Sequence, residues 1–207
     1  MDLVTVLSFI GVSMLLTLMP GPDNMFVLAQ SIAQNKRAGI ITTLGLCTGL
    51  IVHITAATAG ISAIIYQSTL AFSIIKYAGA AYLLFLAYKS FRDKNASLNL
   101  NQQNTSNYTA LYRRGIIMNL LNPKVSLFFL ALFPQFVNYS SGYVSVQMIV
   151  YGMIVLVETL LIFSLISIFA EKAGHVLRRS PTIARKMNLI QGSLFTLIGL
   201  KIAFSQK

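Results

Sequence analysis

Apolar residues run along this chain in long blocks separated by short basic connections, and two of the blocks are broken by proline. Six blocks reach spanning length, at residues about 3–34, 39–66, 68–89, 111–138, 145–170 and 187–205. A helix rises 1.5 Å per residue, so roughly 20 apolar residues cross a hydrocarbon core of about 30 Å. From Gly39 to Ile75 there is no Asp, Glu, Lys or Arg, and His53 is the one residue there with a potential charge at neutral pH. The pattern predicts an all-α integral membrane protein with six transmembrane helices. The first block is long, so a five-span arrangement stays open and would move one terminus.

The two breaks look like copies of each other. Met19-Pro20-Gly21-Pro22-Asp23-Asn24 interrupts the first block, and Leu121-Asn122-Pro123-Lys124 interrupts the fourth. Similar apolar runs follow, Met25 to Ala29 and Leu127 to Ala131. Proline lacks an N–H and disfavours helix in the residue before it, so Pro22 and Pro123 each suit the first turn of a new half-helix. Backbone groups freed inside hydrocarbon are costly, so such breaks persist where protein buries them or where they line a cavity. A single proline would read as a kink. Two in matched positions, each beside a charge, point to a transporter's binding site.

A weaker match continues the repeat. Gly79 to Tyr82 aligns with Gly192 to Phe195, and Phe91 with Phe204. Three spans is an odd number, so the second half must enter the membrane from the opposite side. The expected architecture is a 3+3 inverted repeat: residues 1–90, a polar cytoplasmic linker at 91–110, and residues 111–207. Together they form a single membrane transporter domain. From Pro22 to Asn35, and from Pro123 to Val137, a helix covers roughly 20 Å, which places both breaks near mid-membrane and face to face. Asn35, before a basic pair, suits a left-handed turn.

Composition agrees. The 207 residues are 56% hydrophobic and only 10% charged, against about 25% charged in soluble domains. The net charge of +11 raises the question of nucleic acid, but its distribution answers it. Lys36, Arg37, Lys89, Arg92, Lys94, Arg113, Arg114, Lys172, Arg178, Arg179, Arg185 and Lys186 fall in the connections after spans one, three and five. The other face holds Lys76, Lys201 and Lys207. This is the positive-inside pattern, with lipid headgroups as partner and both termini outside. No nucleic-acid partner is expected. The N-terminus has no basic start and no small-residue cleavage site, and reads as a first helix that directs insertion. One cysteine, Cys47, excludes an internal disulfide and a two-cysteine relay.

The candidate substrate residues are Pro22, Asp23, Asn24, Asn122, Pro123 and Lys124. A half-helix N-terminus offers N–H groups and a positive dipole end to a carboxylate. Asp23 suits that field, whereas Lys124 opposes it and needs an anionic partner. Two readings follow: Asp23 and Lys124 hold the two ends of a zwitterion, or they form an ion pair that locks the halves. Asn119 and Asn122 suit either freed backbone groups or substrate. His53 and Glu158, in corresponding spans, are proton-coupling candidates, against the plainer role of packing residues. Gly45 and Gly49 form a small-xxx-small pattern for close helix packing. No metal site or cofactor is expected.

Gly21-Pro22-Asp23-Asn24, Val27-Leu28, Lys36-Arg37-Ala38-Gly39, Leu44-Gly45, Gly49 and His53 resemble the first half of the lysine exporter family, also called the LysE or homoserine/threonine resistance (RhtB) family. Asn122-Pro123-Lys124, Phe128-Phe129 and Phe133-Pro134-Gln135-Phe136 are similar to its second-half signature. Asn35 departs from the glycine many members carry there, which bears on a turn and leaves the site untouched. The resemblance implies a bacterial inner-membrane exporter of a small amino acid or derivative of homoserine, threonine or lysine type, driven by the proton gradient. A homo-oligomer is compatible with it. The alternative is an ion or metal transporter on a similar scaffold, for which the spans hold few acidic or thiolate residues. An enzyme is not expected, because no nucleophile–base pair is evident.

Overall fold

A computed structural model describes residues 2–19, 21–67, 69–92 and 107–177, with isolated positions between 189 and 204. Among the described residues every regular element is helical. Most of the sixth expected span, with most of its part of the repeat match, and most of the 91–110 linker lie outside the described residues.

Helix α1 (Leu3–Leu18) starts at Asp2, whose carboxylate accepts from Thr5 N at 3.3 Å. It stops before the first break. Gly21 is extended, and Pro22 opens α2 (Pro22–Ala33) at a helix position that needs no N–H. The two axes differ by 56°. Helix α3 (Lys36–Gln67) follows almost at once. The left-handed turn expected at Asn35 is absent: among the described residues only Gly142 and Tyr143 have positive φ. Asn35 caps α3 instead, its side-chain oxygen accepting from Ala38 N at 3.0 Å. A polar side chain that satisfies a free helix N–H removes the need for a special backbone conformation.

Helix α4 (Thr69–Arg92) matches the third expected span. Helix α5 (Tyr108–Leu120) is capped by Asn107. After the second break, α6 (Pro123–Leu127) passes into a π turn at Phe128–Leu132 and a 3₁₀ turn at Phe133–Phe136. The bend between α5 and this segment is 45°. Helix α7 (Val144–Leu177) is the last continuous element among the described residues. Two helices, over Lys36–Gly60 and Val144–Ala170, are each long and apolar enough to cross a membrane, and each bent pair would add another span.

Helix α3 packs against α2, α5 and α7, and α7 packs against α1, α2 and α3. Small residues permit these contacts. A Cβ on Gly115 would lie 2.6 Å from the Thr42 carbonyl and 3.1 Å from Gly45 Cα, and one on Gly45 would run into the Tyr112 carbonyl. Gly49 similarly abuts Asn119. At Gly39, α3 meets Ser31 of α2 and Ser167 of α7. The start of α3 therefore shares one end of the bundle with the last third of α7. The Arg37 guanidinium also lies 5.2 Å over the Tyr108 ring, bringing the start of α5 to that end. The starts of α3 and α5 and the last third of α7 thus gather there. The opposite end holds the loop 137–143, tied to Gln147 through Asn138, Ser141 and Gly142. Helix α7 exposes Val146, Ile149, Val150, Met153, Val157, Leu160, Leu161 and Leu165. Such a face is stable only against lipid or protein.

Candidate functional site

The two breaks come together around one cavity of about 50 Å³, space for a few waters. Leu50 of α3 and Val155 and Thr159 of α7 line it, near the midpoints of the two span-length helices. Ser13 and Thr17 of α1, Asp23 of α2, Asn119 of α5 and Lys124 of α6 supply its polar atoms. Phe128, Phe129 and Phe163 contribute apolar wall.

Asp23 is 3% exposed, and Asn119 and Asn122 are each 2% exposed. Asn119 Nδ2 donates to Asp23 Oδ2 at 3.1 Å. Asn122 caps α6 by accepting from Lys124 N at 3.0 Å. Three buried atoms at the breaks are left without a hydrogen-bond partner: Asp23 Oδ1, Asn119 Oδ1 and Asn122 Nδ2. Buried polar atoms are normally satisfied, so unpaired ones call for a specific explanation. Here they lie at two helix breaks, and Asp23 and Asn119 line a mostly apolar cavity.

Lys124 does not form the direct ion pair with Asp23 that the matched positions suggested. Its ammonium donates to the carbonyls of Leu16 at 3.2 Å and Met19 at 3.1 Å, with Asn24 Oδ1 at 3.5 Å. Those carbonyls belong to the C-terminal end of α1, released by the first break. A helix C-terminus carries partial negative charge, so a cation is favoured there. Backbone carbonyls thus supply its direct hydrogen-bond partners, while the Asp23 carboxylate acts on it through space. Asn24 adds to the same cap, donating through Nδ2 to the Thr17 carbonyl at 2.8 Å. Pro22 and Pro123 begin the half-helices that carry Asp23 and Lys124.

His53 and Glu158 sit apart. His53 Nε2 lies 3.2 Å from the Asn119 carbonyl, and its ring stacks on Phe129 at 5.9 Å and 7°. Glu158 Oε2 accepts from Ser13 Oγ at 2.6 Å, while Oε1 is buried without a partner. The Phe9 carbonyl lies 2.8 Å from the same hydroxyl and competes for its single proton. Each ionisable group is thus held through a residue that lines the cavity. Beyond the cavity, Phe9, Phe133, Phe136 and Tyr151 stack into one aromatic cluster, with Phe9 4.4 Å from Tyr151 and 5.1 Å from Phe136.

Ser13, Thr17 and Thr159 line the cavity, and reading the sequence missed them. Ser13 and Thr17 are four apart on α1, and so share a helix face pointing at the break. That polar i, i+4 pair in an apolar run was the available signal. The Leu16 and Met19 carbonyls give no side-chain signal at all.

The family model for LysE type translocators matches residues 5–206. The chain is 31% identical over 204 residues to an uncharacterised membrane protein of Vibrio cholerae, covering 98% of both chains. It is 30% identical over 210 residues to the membrane protein YrhP of Bacillus subtilis, covering 97% of this chain and 99% of the relative. It is 31% identical over 196 residues to the homoserine/homoserine lactone efflux protein of Salmonella typhimurium, covering 95% of this chain and 94% of the relative. No solved structure matches the chain. With the family pattern running over nearly its whole length, the chain belongs to the LysE type translocators, membrane transporters that move solutes rather than transform them.

Proposed function

We propose that this protein exports a small zwitterionic amino acid or derivative across the bacterial inner membrane, by alternating access of two inverted three-helix repeats. The observation that carries this reading is the mid-bundle cavity where both breaks meet, lined by Asp23, Asn119 and Lys124. A carboxylate acceptor and amide and ammonium donors within one small space complement the two ends of an amino acid. The packing supports the repeat. Helix α3 lies against the broken α5 segment of the other half, and α7 lies against α1 and α2. The relative named for homoserine and homoserine lactone efflux points to a small amino acid or derivative.

Proton coupling belongs to the same proposal. Glu158, bonded to Ser13, and His53, against Asn119, both stand one residue back from the cavity. Ionisable groups inside spanning helices mark proton paths by default. The alternative, an ion or metal carrier, finds less support in the few acidic and thiolate residues of the spans.

Export from proteoliposomes loaded with labelled L-homoserine tests the reading. Asp23→Asn and Lys124→Gln should each abolish efflux while the protein remains folded and inserted. The double variant separates substrate binding from a structural lock. Under the substrate role it folds and stays inactive, whereas full export by the double variant would sink that role.

A further inference from the structure

Lys124 carries three N–H donors. They face three oxygens, the carbonyls of Leu16 and Met19 and the side-chain oxygen of Asn24. None of the three is a carboxylate. The nearby Asp23 carboxylate gives one oxygen to Asn119 and keeps the other unpartnered. The Lys124 ammonium sits in a cradle of dipoles that suits a primary ammonium group, with the Asp23 carboxylate acting on it through space. Broken helices use this chemistry for cations, through exposed carbonyls and half-helix C-terminal ends. An amino acid's ammonium has the same three donors and the same charge as the lysine head.

We propose that the Leu16 and Met19 carbonyls and Asn24 Oδ1 form the seat for the substrate's primary ammonium, and that Lys124 fills this seat as a tethered stand-in while the site is empty. The inference rests on the reading of this cavity as the substrate site. Arrival of substrate replaces one ammonium with another, so the α1 carbonyls never stand bare in a low-dielectric interior, where unpaired dipoles are costly. The displaced Lys124 head is then free for the substrate carboxylate. Gly21 belongs to the device. A Cβ there would come within 3.1 Å of Lys124 Nζ and 3.5 Å of Cε, so glycine leaves room for the lysine head.

A tethered competitor lowers the apparent affinity of any free amine, by the fraction of time that it leaves the seat empty. The test uses the purified full chain in detergent and follows its thermal unfolding midpoint against propylammonium chloride, with potassium chloride as the salt control. In Lys124→Met the seat is vacant, and half-maximal stabilisation should need an about tenfold lower propylammonium concentration than in the parent. Gly21→Ala should move the concentration in the same direction by a smaller factor. Its extended backbone, φ −154, accepts alanine. Tetramethylammonium, which has charge but no N–H, should give no such gain. Equal or weaker propylammonium response in Lys124→Met overturns the proposal, as does an equal gain with tetramethylammonium. If Lys124→Met does not fold, Gly21→Ala decides alone, and no gain there is fatal. L-Homoserine counterflow by the parent is measured in parallel. Transport without the amine gain removes the stand-in and keeps the transporter reading. An amine gain without amino-acid transport keeps the seat and removes the substrate assignment.

Discussion

At the scale of single residues, one group of buried polar side chains gathers around the places where α1 and α5 break. Ser13, Asp23, Asn24, Asn119, Asn122, Lys124 and Glu158 are all buried. Each bonds to another member of this set or to backbone freed by a break. Glu158, like Asp23, keeps one carboxylate oxygen unpartnered, and its other oxygen accepts from Ser13. If it carries the coupling proton, Glu158→Gln should leave counterflow intact and remove the dependence of net efflux on an imposed pH gradient. Paired counterflow and gradient-driven flux measurements check this. Unchanged gradient dependence would relegate Glu158 to packing. Ser13→Ala removes the hydrogen bond to that carboxyl group and should lower stability by about 1 kcal/mol, seen as a lower thermal midpoint.

At the scale of elements, close approach of α3 and α5 sets the position of the second break. Gly45 and Gly115 face each other, with the Thr42 and Tyr112 carbonyls filling the space where side chains would be. Helices in lipid associate largely by such packing, since no hydrophobic force distinguishes partner from solvent. Gly115→Ala must push the helices apart and should cost about 1–3 kcal/mol. A Cβ on Gly11 of α1, by contrast, would meet nothing within 4 Å. Gly11→Ala should therefore be neutral or stabilising by roughly 0.4–1 kcal/mol through the unfolded state. Thermal unfolding in detergent compares the two, and equal effects would argue against tight α3–α5 packing. The π turn at Phe128–Leu132 is the other distinctive element. It follows the short α6 directly, and it carries Phe129 against His53. Single π turns often mark functional sites in helices.

At the scale of the whole molecule, charge decides orientation. The starts of α3 and α5 meet through Arg37 and Tyr108, and the last third of α7 joins them near Gly39. One end of the bundle is therefore basic. The positive-inside rule predicts that a reporter inserted in the 91–110 linker scores as cytoplasmic, and that fusions at both ends of this chain score as periplasmic. A cytoplasmic score for the C-terminal fusion would select five spans and dissolve the inverted repeat.

Elements and breaks were legible in the linear pattern of the chain. The starts expected for the first five spans lie within a few residues of the helix starts, because hydrophobic length and proline chemistry are local properties. The Pro22 and Pro123 helix starts follow for the same reason, and the basic connections are legible as simple counts. Which atoms meet was another matter. Asp23 and Lys124 were matched in sequence, yet Lys124 turns to the carbonyls of α1 because a released helix C-terminus is itself a partial anion. Asn35 was expected in a turn and became a cap, since its side chain found a free N–H. Ser13 and Thr17 looked like ordinary polar residues in an apolar run until α7 and α6 brought Glu158 and the cavity against them. Backbone dipoles carry no side-chain letter, and partners that lie a hundred residues apart are chosen only when helices pack. That choice, made by glycine contacts and the two bends, is what drew two proline motifs around one cavity.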